Sequence, residues 1–215
     1  GIGRNESEAV SYKVIEKNGL KVGFVSITDN YYKASMARAG SAGVFTTGYS
    51  EYNRVVNDAS NNSDLVVVYI HFGEEDDANI TDSQKNLAHW LIEAGADIVI
   101  GSHPHVLQSA EVYKNGIIFY SLGNFIFDQG NTYSRDSVLV QFTLDKDGNG
   151  SFELIPMRIN GATPSEPALG FYKARINREL TKLLDESQYT YDSDGHVIIN
   201  AVSVDMSNVK VVDND

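Results

Sequence analysis

The stretch "DLVVVYIHFGEEDDANITDSQKNLAHWLIEAGADIVIGSHPH" runs from Asp64 to His105 and decides the fold. Its first eight residues are β-branched and nearly continuous in apolar character, the signature of a strand buried on both faces. From Thr81 the period changes. Leu87, Ala88, Leu91 and Ile92 share one helical face. Thr81 and Gln84 have the spacing of a capping box, in which each side chain satisfies a free N–H of the first turn. Gly95 fits the helix stop, and "ADIVIGS" (Ala96 to Ser102) is a second buried strand. Strand, helix and strand in this order predict parallel pairing with a right-handed crossover.

That polarity has a chemical consequence. His71 ends the first strand, and His103 and His105 follow the second. In a parallel unit these ends lie at one sheet edge, where open α/β sheets place their ligands. Three of the chain's five histidines are therefore expected to converge. Pro104 fixes its own φ and pushes His103 towards an extended backbone. In an extended His-Pro-His both imidazoles point to the same side. Imidazole suits zinc, iron, nickel and similar divalent ions. Two such rings can hold one metal or bridge a dinuclear pair about 3.5–4 Å apart. Glu75, Asp76 and Asp77 follow His71 and offer oxygen ligands or a general base; a solvated acidic loop is the plainer alternative. Asn124, in "SLGNF", can reach the same edge, with Gly123 permitting a tight turn beside it. His89 reads as a surface residue, and His196, after "SDG", as one without a role.

Outward from this core, "KVGFVSI" (Lys21 to Ile27) is a buried strand, residues 28–48 a long loop, and Ser50 to Ser60 a short helix with Ser50 as its N-cap. Asn115-Gly116 marks a hairpin turn, and "KDGNG" a second. Phe171 to Ser187 reads as an amphipathic helix and His196 to Val204 as a last strand.

Composition narrows the function classes. Apolar residues make up 42% of the 215 and charged residues 21%, the balance of a folded chain with a core. The net charge of −12, with no basic stripe, argues against nucleic acid. An anionic substrate would need a metal or a few arginines to approach. With no cysteine, disulfides, thiolate zinc sites and cysteine nucleophiles are excluded.

"GIGRNESEAV", "IHFGEE" and "QKNLAHWLIEAGADIVIGSHPHVLQSAEVYKNGIIFYSLGNFIFD" resemble the capsule-synthesis protein CapA family, linked to poly-γ-glutamate capsules, over roughly residues 1–159. That family resembles a branch of the calcineurin-like metallophosphoesterases. The resemblance implies a mixed α/β fold: a metallophosphoesterase-like β-sandwich flanked by helices, here without its N-terminal half. Residues 1–160 would be the C-terminal part of that domain, and 161–215 a helix–strand extension packing on it. It also implies a divalent, dinuclear site of Mn, Fe or Zn. His71 and His103 would serve one metal and His105 the other, with Glu75 and Asn124 in catalytic roles. The carboxylate, Asn and His ligands that complete such a site belong to segments upstream of "GIGRN", so the missing half of the domain is the first expected partner. Capsule-synthesis membrane proteins and an anionic polymer are others. The expected setting is extracytoplasmic, at the cell surface or anchored through an upstream segment. Three departures stand out: Phe72 where the family has Trp, Asp76 where it has Tyr, and Ile80 where it has Pro. They are expected to line the pocket mouth. Two other functions stay open, a non-catalytic assembly or export component and a general metallophosphoesterase.

Overall fold

A computed structural model describes residues 1–30, 33–46, 48–128, 131–161 and 165–209. In chain order the elements are β1 (Ile2–Gly3), α1 (Glu6–Ala9), β2 (Lys13–Lys17), β3 (Leu20–Thr28), β4 (Gly43–Val44), α2 (Tyr49–Asn61), β5 (Leu65–His71), α3 (Asp82–Glu93), β6 (Ile98–Ser102), β7 (Leu107–Tyr113), β8 (Gly116–Leu122), β9 (Asp136–Leu144), β10 (Asn149–Ile159), β11 (Ser165–Pro167), α4 (Gly170–Leu180), β12 (Tyr189–Tyr191) and β13 (Val197–Ser203). No helix among the described residues is long and apolar enough to cross a membrane.

Six strands form the first sheet, in the order β2-β3-β5-β6-β8-β7. The pairs β3–β5, β5–β6 and β6–β8 are parallel, as the strand–helix–strand pattern requires. Val25, Val68, Val99 and Ile118 stand in register across four strands. Each is 2% exposed or less, and with Leu87, Leu91, Val55 and Val56 of the covering helices they form one core. The capping box of α3 is present: Thr81 Oγ1 accepts from Gln84 N–H at 3.1 Å, and Gln84 Oε1 accepts from Thr81 N–H at 3.1 Å.

The second sheet has the path β11-β10-β13-β12, with β9 on the other edge of β10. It packs on the opposite face of the first sheet, around Phe119, Phe152, Leu154 and Ile199, with Ile176 and Leu180 of α4. The mixed α/β sandwich flanked by helices is thus as expected. β11, α4, β12 and β13 all belong to this second sheet or its core.

Several local expectations are corrected. The N-cap of α2 is Gly48 at φ 121°, two residues before Ser50. The first hairpin turns at Lys114-Asn115, because Tyr113 pairs with Gly116. Gly116 is needed for space instead: a Cβ there would lie 2.7 Å from Ile92 Cδ1 and 2.9 Å from Asp97 O. α4 stops at Leu180 and does not reach Ser187. The long loop after β3 contains a 3-10 turn (Lys33–Ser35) and β4; Tyr31, Tyr32 and Thr47 of that stretch lie outside the described residues.

Candidate metal centre

β5 and β6 deliver the histidines. His71 pairs with Thr28 on one side and Ser102 on the other, so the strand ends are level. His71 and His103 rings approach to 4.5 Å between centroids, and His103 and His105 to 6.4 Å. All three line one cavity of about 760 Å³, together with Thr28, Asn30, Tyr69, Glu74 and Glu75.

The His-Pro-His corner is not extended. His103 sits at φ 104° and His105 at φ 60°. This overturns the expected i, i+2 alignment: the chain turns sharply on both sides of Pro104 so that Pro104 O can accept from Asp76 N–H at 2.9 Å. Left-handed backbone at non-glycine residues costs on the order of 1–3 kcal/mol and gathers at functional sites. The turn spreads the two rings apart, so His103 faces His71 while His105 faces Phe127, 4.9 Å away between centroids.

Neighbouring amides settle which ring nitrogens are free. Asn124 is 8% exposed. Its Nδ2 donates to the carbonyls of His105 (3.2 Å) and Ser134 (3.1 Å). Its Oδ1 therefore faces His105 Nδ1, which donates to it at 2.8 Å. In the neutral tautomer this bond leaves the lone pair on His105 Nε2, the way a hydrogen-bond partner orients a metal-binding imidazole. Asn124 thus orients His105.

Asn30, in the loop that follows β3, joins this cavity although no sequence motif marks it. The backbone N–H groups of Asp29 and Asn30 both donate to His71 O, at 2.9 and 3.2 Å. Asn30 Nδ2 donates to Gly73 O at 3.2 Å, so the same nitrogen, 2.6 Å from His103 Nε2, faces that ring atom as a donor. His103 Nε2 then carries the lone pair. Burial, followed by the charges of His103 and His105, holds His71 below its ordinary pKa, while Glu75 pulls weakly the other way. Its imidazole is accordingly neutral at neutral pH. Only the pairing of β3 beside β5 could have revealed Asn30; no local motif marks it.

Glu75 is exposed and lines the cavity with the histidines. Asp77 is committed elsewhere: its Oδ1 accepts from Asn79 N–H at 2.8 Å. Gln108 braces this acidic loop, donating to Asp77 O (3.0 Å) and Asn79 O (3.2 Å). Phe72 does not line the pocket mouth. It is 1% exposed and stacked near Tyr120, because its side chain points to the opposite face from His71. Ile80 packs against the helix-side core.

Imidazole and carboxylate are the donor types that suit a divalent ion of borderline softness, but among the described residues His71, His103, His105 and Glu75 do not bring three donor atoms within 4.8 Å of one another, and Asn30 Nδ2 faces His103 Nε2. Across the molecule, Glu153, Asp192 and His196 place three donor atoms within 4.8 Å of one another. There His196 Nδ1 lies 2.8 Å from Glu153 Oε1 and 3.1 Å from Asp192 Oδ2. His196 Nδ1 thus lies within hydrogen-bond reach of both carboxylates, which gives His196 a structural role that its turn position had concealed. His89, read as a surface residue, is half-buried and has partners. Its Nε2 lies 3.0 Å from Glu111 Oε2 and its ring stacks on Tyr113 at 3.7 Å.

Residues 1–129 match the family model described as "Bacterial capsule synthesis protein PGA_cap". The "PGA biosynthesis protein CapA" of Bacillus subtilis is 40% identical over 204 residues, 90% of this chain and 53% of that protein. The "Capsule biosynthesis protein CapA" of Bacillus anthracis is 38% identical over 186 residues, 85% of this chain and 45% of that protein. The chain thus spans about half the length of these two relatives. A solved structure of Haemophilus influenzae NAD nucleotidase superposes with a TM-score of 0.43 at 12% identity, covering 85% of this chain and 40% of that one.

Proposed function

The chain belongs to the bacterial capsule synthesis protein family, and from that premise we propose that it carries part of a divalent-metal centre for hydrolytic or transfer chemistry in making or releasing an anionic capsule polymer, poly-γ-glutamate by the resemblance. The setting proposed is the cell surface, within a longer polypeptide. The observation that carries the reading is the convergence of His71, His103 and His105 on one cavity beside Glu75.

Bound there, a divalent ion would polarise an ester, amide or phosphoryl oxygen and make a coordinated water acidic. The chain's own residues do the rest. His71 and His103, 4.5 Å apart between ring centroids, would hold one position once Asn30 Nδ2 gives up His103 Nε2. His105, turned by Asn124, offers Nε2 to a second. Glu75 is placed to accept a proton at its carboxylate. On their own these histidines and Glu75 do not bring three donor atoms within 4.8 Å of one another, so an ion here would need further ligands. The rest of a dinuclear site would come from the other half of the polypeptide.

Calorimetric titration with Mn²⁺ and Zn²⁺ tests the reading. Stoichiometric binding is expected, and His103→Ala should weaken it at least tenfold, about 1.4 kcal/mol. Absence of stoichiometric metal in the full-length protein, with capsule output unchanged by His103→Ala, would overturn the catalytic reading and favour an assembly role.

A further inference from the structure

Charge is unevenly placed in this molecule. Asp and Glu outnumber Lys and Arg by 29 to 17. Yet residues 170–182, α4 and the turn after it, carry Lys173, Arg175, Arg178 and Lys182 against Glu179 alone. The apolar trough of about 780 Å³ between the two sheets, open beside β9, has no charged side chain in its lining and offers a charged group nothing. A cavity of about 210 Å³ beside α4 differs. Val106 and Leu107, which follow His105 directly, line it together with Tyr133, Phe171, Arg175 and Arg178. Asp136 and Glu179 line it too, but both are already engaged. Asp136 is shared by Arg158 and Arg175, and Glu179 is held by Lys182 at 2.7 Å. Two carboxylates therefore face four cations.

Arg175 commits Nε and Nη2 to Asp136 Oδ2, and its Nη1 has no partner among the described residues. The Arg178 side chain is exposed and bonds nothing among them. The Arg175 guanidinium stands 5.3 Å from the ring centre of Tyr133 and 5.8 Å from that of Phe171, contacts that hold its plane. These rings are 65% and 73% exposed, so they frame an opening and not a core. A fixed guanidinium with free N–H groups matches a carboxylate, and flanking rings match a hydrocarbon arm that carries one. We propose that this cavity is a carboxylate subsite for an acidic polymer: Arg175 Nη1 and Arg178 hold one carboxylate, while Tyr133 and Phe171 flank its arm. A molecule of net charge −12 repels a polyanion at long range, and this patch supplies the arginines that such a ligand needs. Because Val106 adjoins His105, the next unit of a polymer held here would lie towards the histidines. The polymer's identity and this last step rest on the proposed function; the carboxylate site itself does not.

Calorimetry on the full-length protein tests the subsite, with a short oligomer of γ-linked glutamate as the probe and EDTA present so that no metal contributes. Binding is expected, and Arg178→Ala should weaken it about tenfold, the effect of one charged hydrogen bond, with the unfolding midpoint unchanged. Lys17→Ala, which removes an exposed cation from β2, should leave the affinity as it was. No binding, or an affinity indifferent to Arg178, would overturn the proposal. So would an equal loss in Lys17→Ala, which would mean diffuse charge attraction. An oligomer with carboxamides in place of its carboxylates must fail to bind; equal affinity for it would remove the arginines' role. Inorganic phosphate is the last arm. Displacement of the oligomer by an equal concentration of phosphate would make this a general anion site and overturn the assignment to carboxylate. Titration of the same protein with Mn²⁺ after EDTA is removed separates the two ideas. Oligomer binding that depends on Arg178, without stoichiometric metal, sinks the metal centre alone. Stoichiometric metal with an affinity indifferent to Arg178 sinks the subsite alone.

Discussion

Asn124 shows how one side chain can serve both stability and site geometry. It is nearly buried and bonds two carbonyls and one imidazole. Asn124→Ala would leave those carbonyls without their donor and free the His105 ring to rotate. Loss of about 1–3 kcal/mol is expected in denaturant unfolding. The second effect is on metal: orienting partners of this kind change affinity by roughly 10- to 100-fold, and calorimetry on the folded variant reads it. Unchanged affinity would reduce Asn124 to a structural residue. The three histidines were legible in the sequence because strand polarity alone places them. The roles of Asn30 and Asn124 were not. Each depends on which strands pair, Asn30 across 73 positions from His103 and Asn124 across 19 from His105. The backbone at His103 and His105 was misjudged because the rule for residues before proline is local, whereas the bond from Asp76 to Pro104 is not.

At the scale of elements, β5 is tied to the start of β6 by a partly buried carboxylate. Asp97 Oδ2 accepts from Val66 N–H at 2.7 Å. Burial nevertheless raises the Asp97 pKa, more than that bond lowers it. The folded state therefore favours the protonated form. Its contribution is most stabilising in acid and is lost as pH rises through the raised value. Asn keeps an acceptor oxygen and carries no charge. Asp97→Asn is expected to raise stability at pH 7 by up to about 1 kcal/mol. The gain should vanish below the ordinary aspartate value of about 3.9. Chemical unfolding at the two pH values checks this, and a variant less stable at pH 7 would show that the charge itself holds the strands. β3, β5, β6 and α3 were readable because each carries its own period and, for α3, its own caps. The short strands β1, β2, β4, β11 and β12 escaped, having little buried apolar pattern of their own; β2 has no buried residue at all. Their existence comes from neighbours that satisfy their backbone.

Across the whole molecule, β9, β10 and α4 are tied by one aspartate and two arginines. Asp136 is bonded by Arg158 from β10 and by Arg175 Nε from α4, the latter at 2.8 Å. The Asp136 side chain is 6% exposed, and those of Arg158 and Arg175 are 16% and 13%. Asp136→Ala would leave two largely buried cations without their counter-ion, at an expected cost of roughly 3–5 kcal/mol in denaturant unfolding. A loss below about 1 kcal/mol would mean that water solvates these arginines, as at an exposed pair. The open trough beside β9 has a colloidal consequence. In the 215-residue chain, apolar surface at Phe24, Tyr69 and Leu139 faces solvent while the molecule carries −12. Charge repulsion is then what keeps dilute molecules apart. Its range shrinks from about 30 Å at 0.01 M salt to about 3 Å at 1 M. Light scattering should accordingly show a monomer in low salt and reversible clustering as salt is added, the reverse of the behaviour of a protein held together by ion pairs. If clustering is insensitive to salt, the trough is not what drives it.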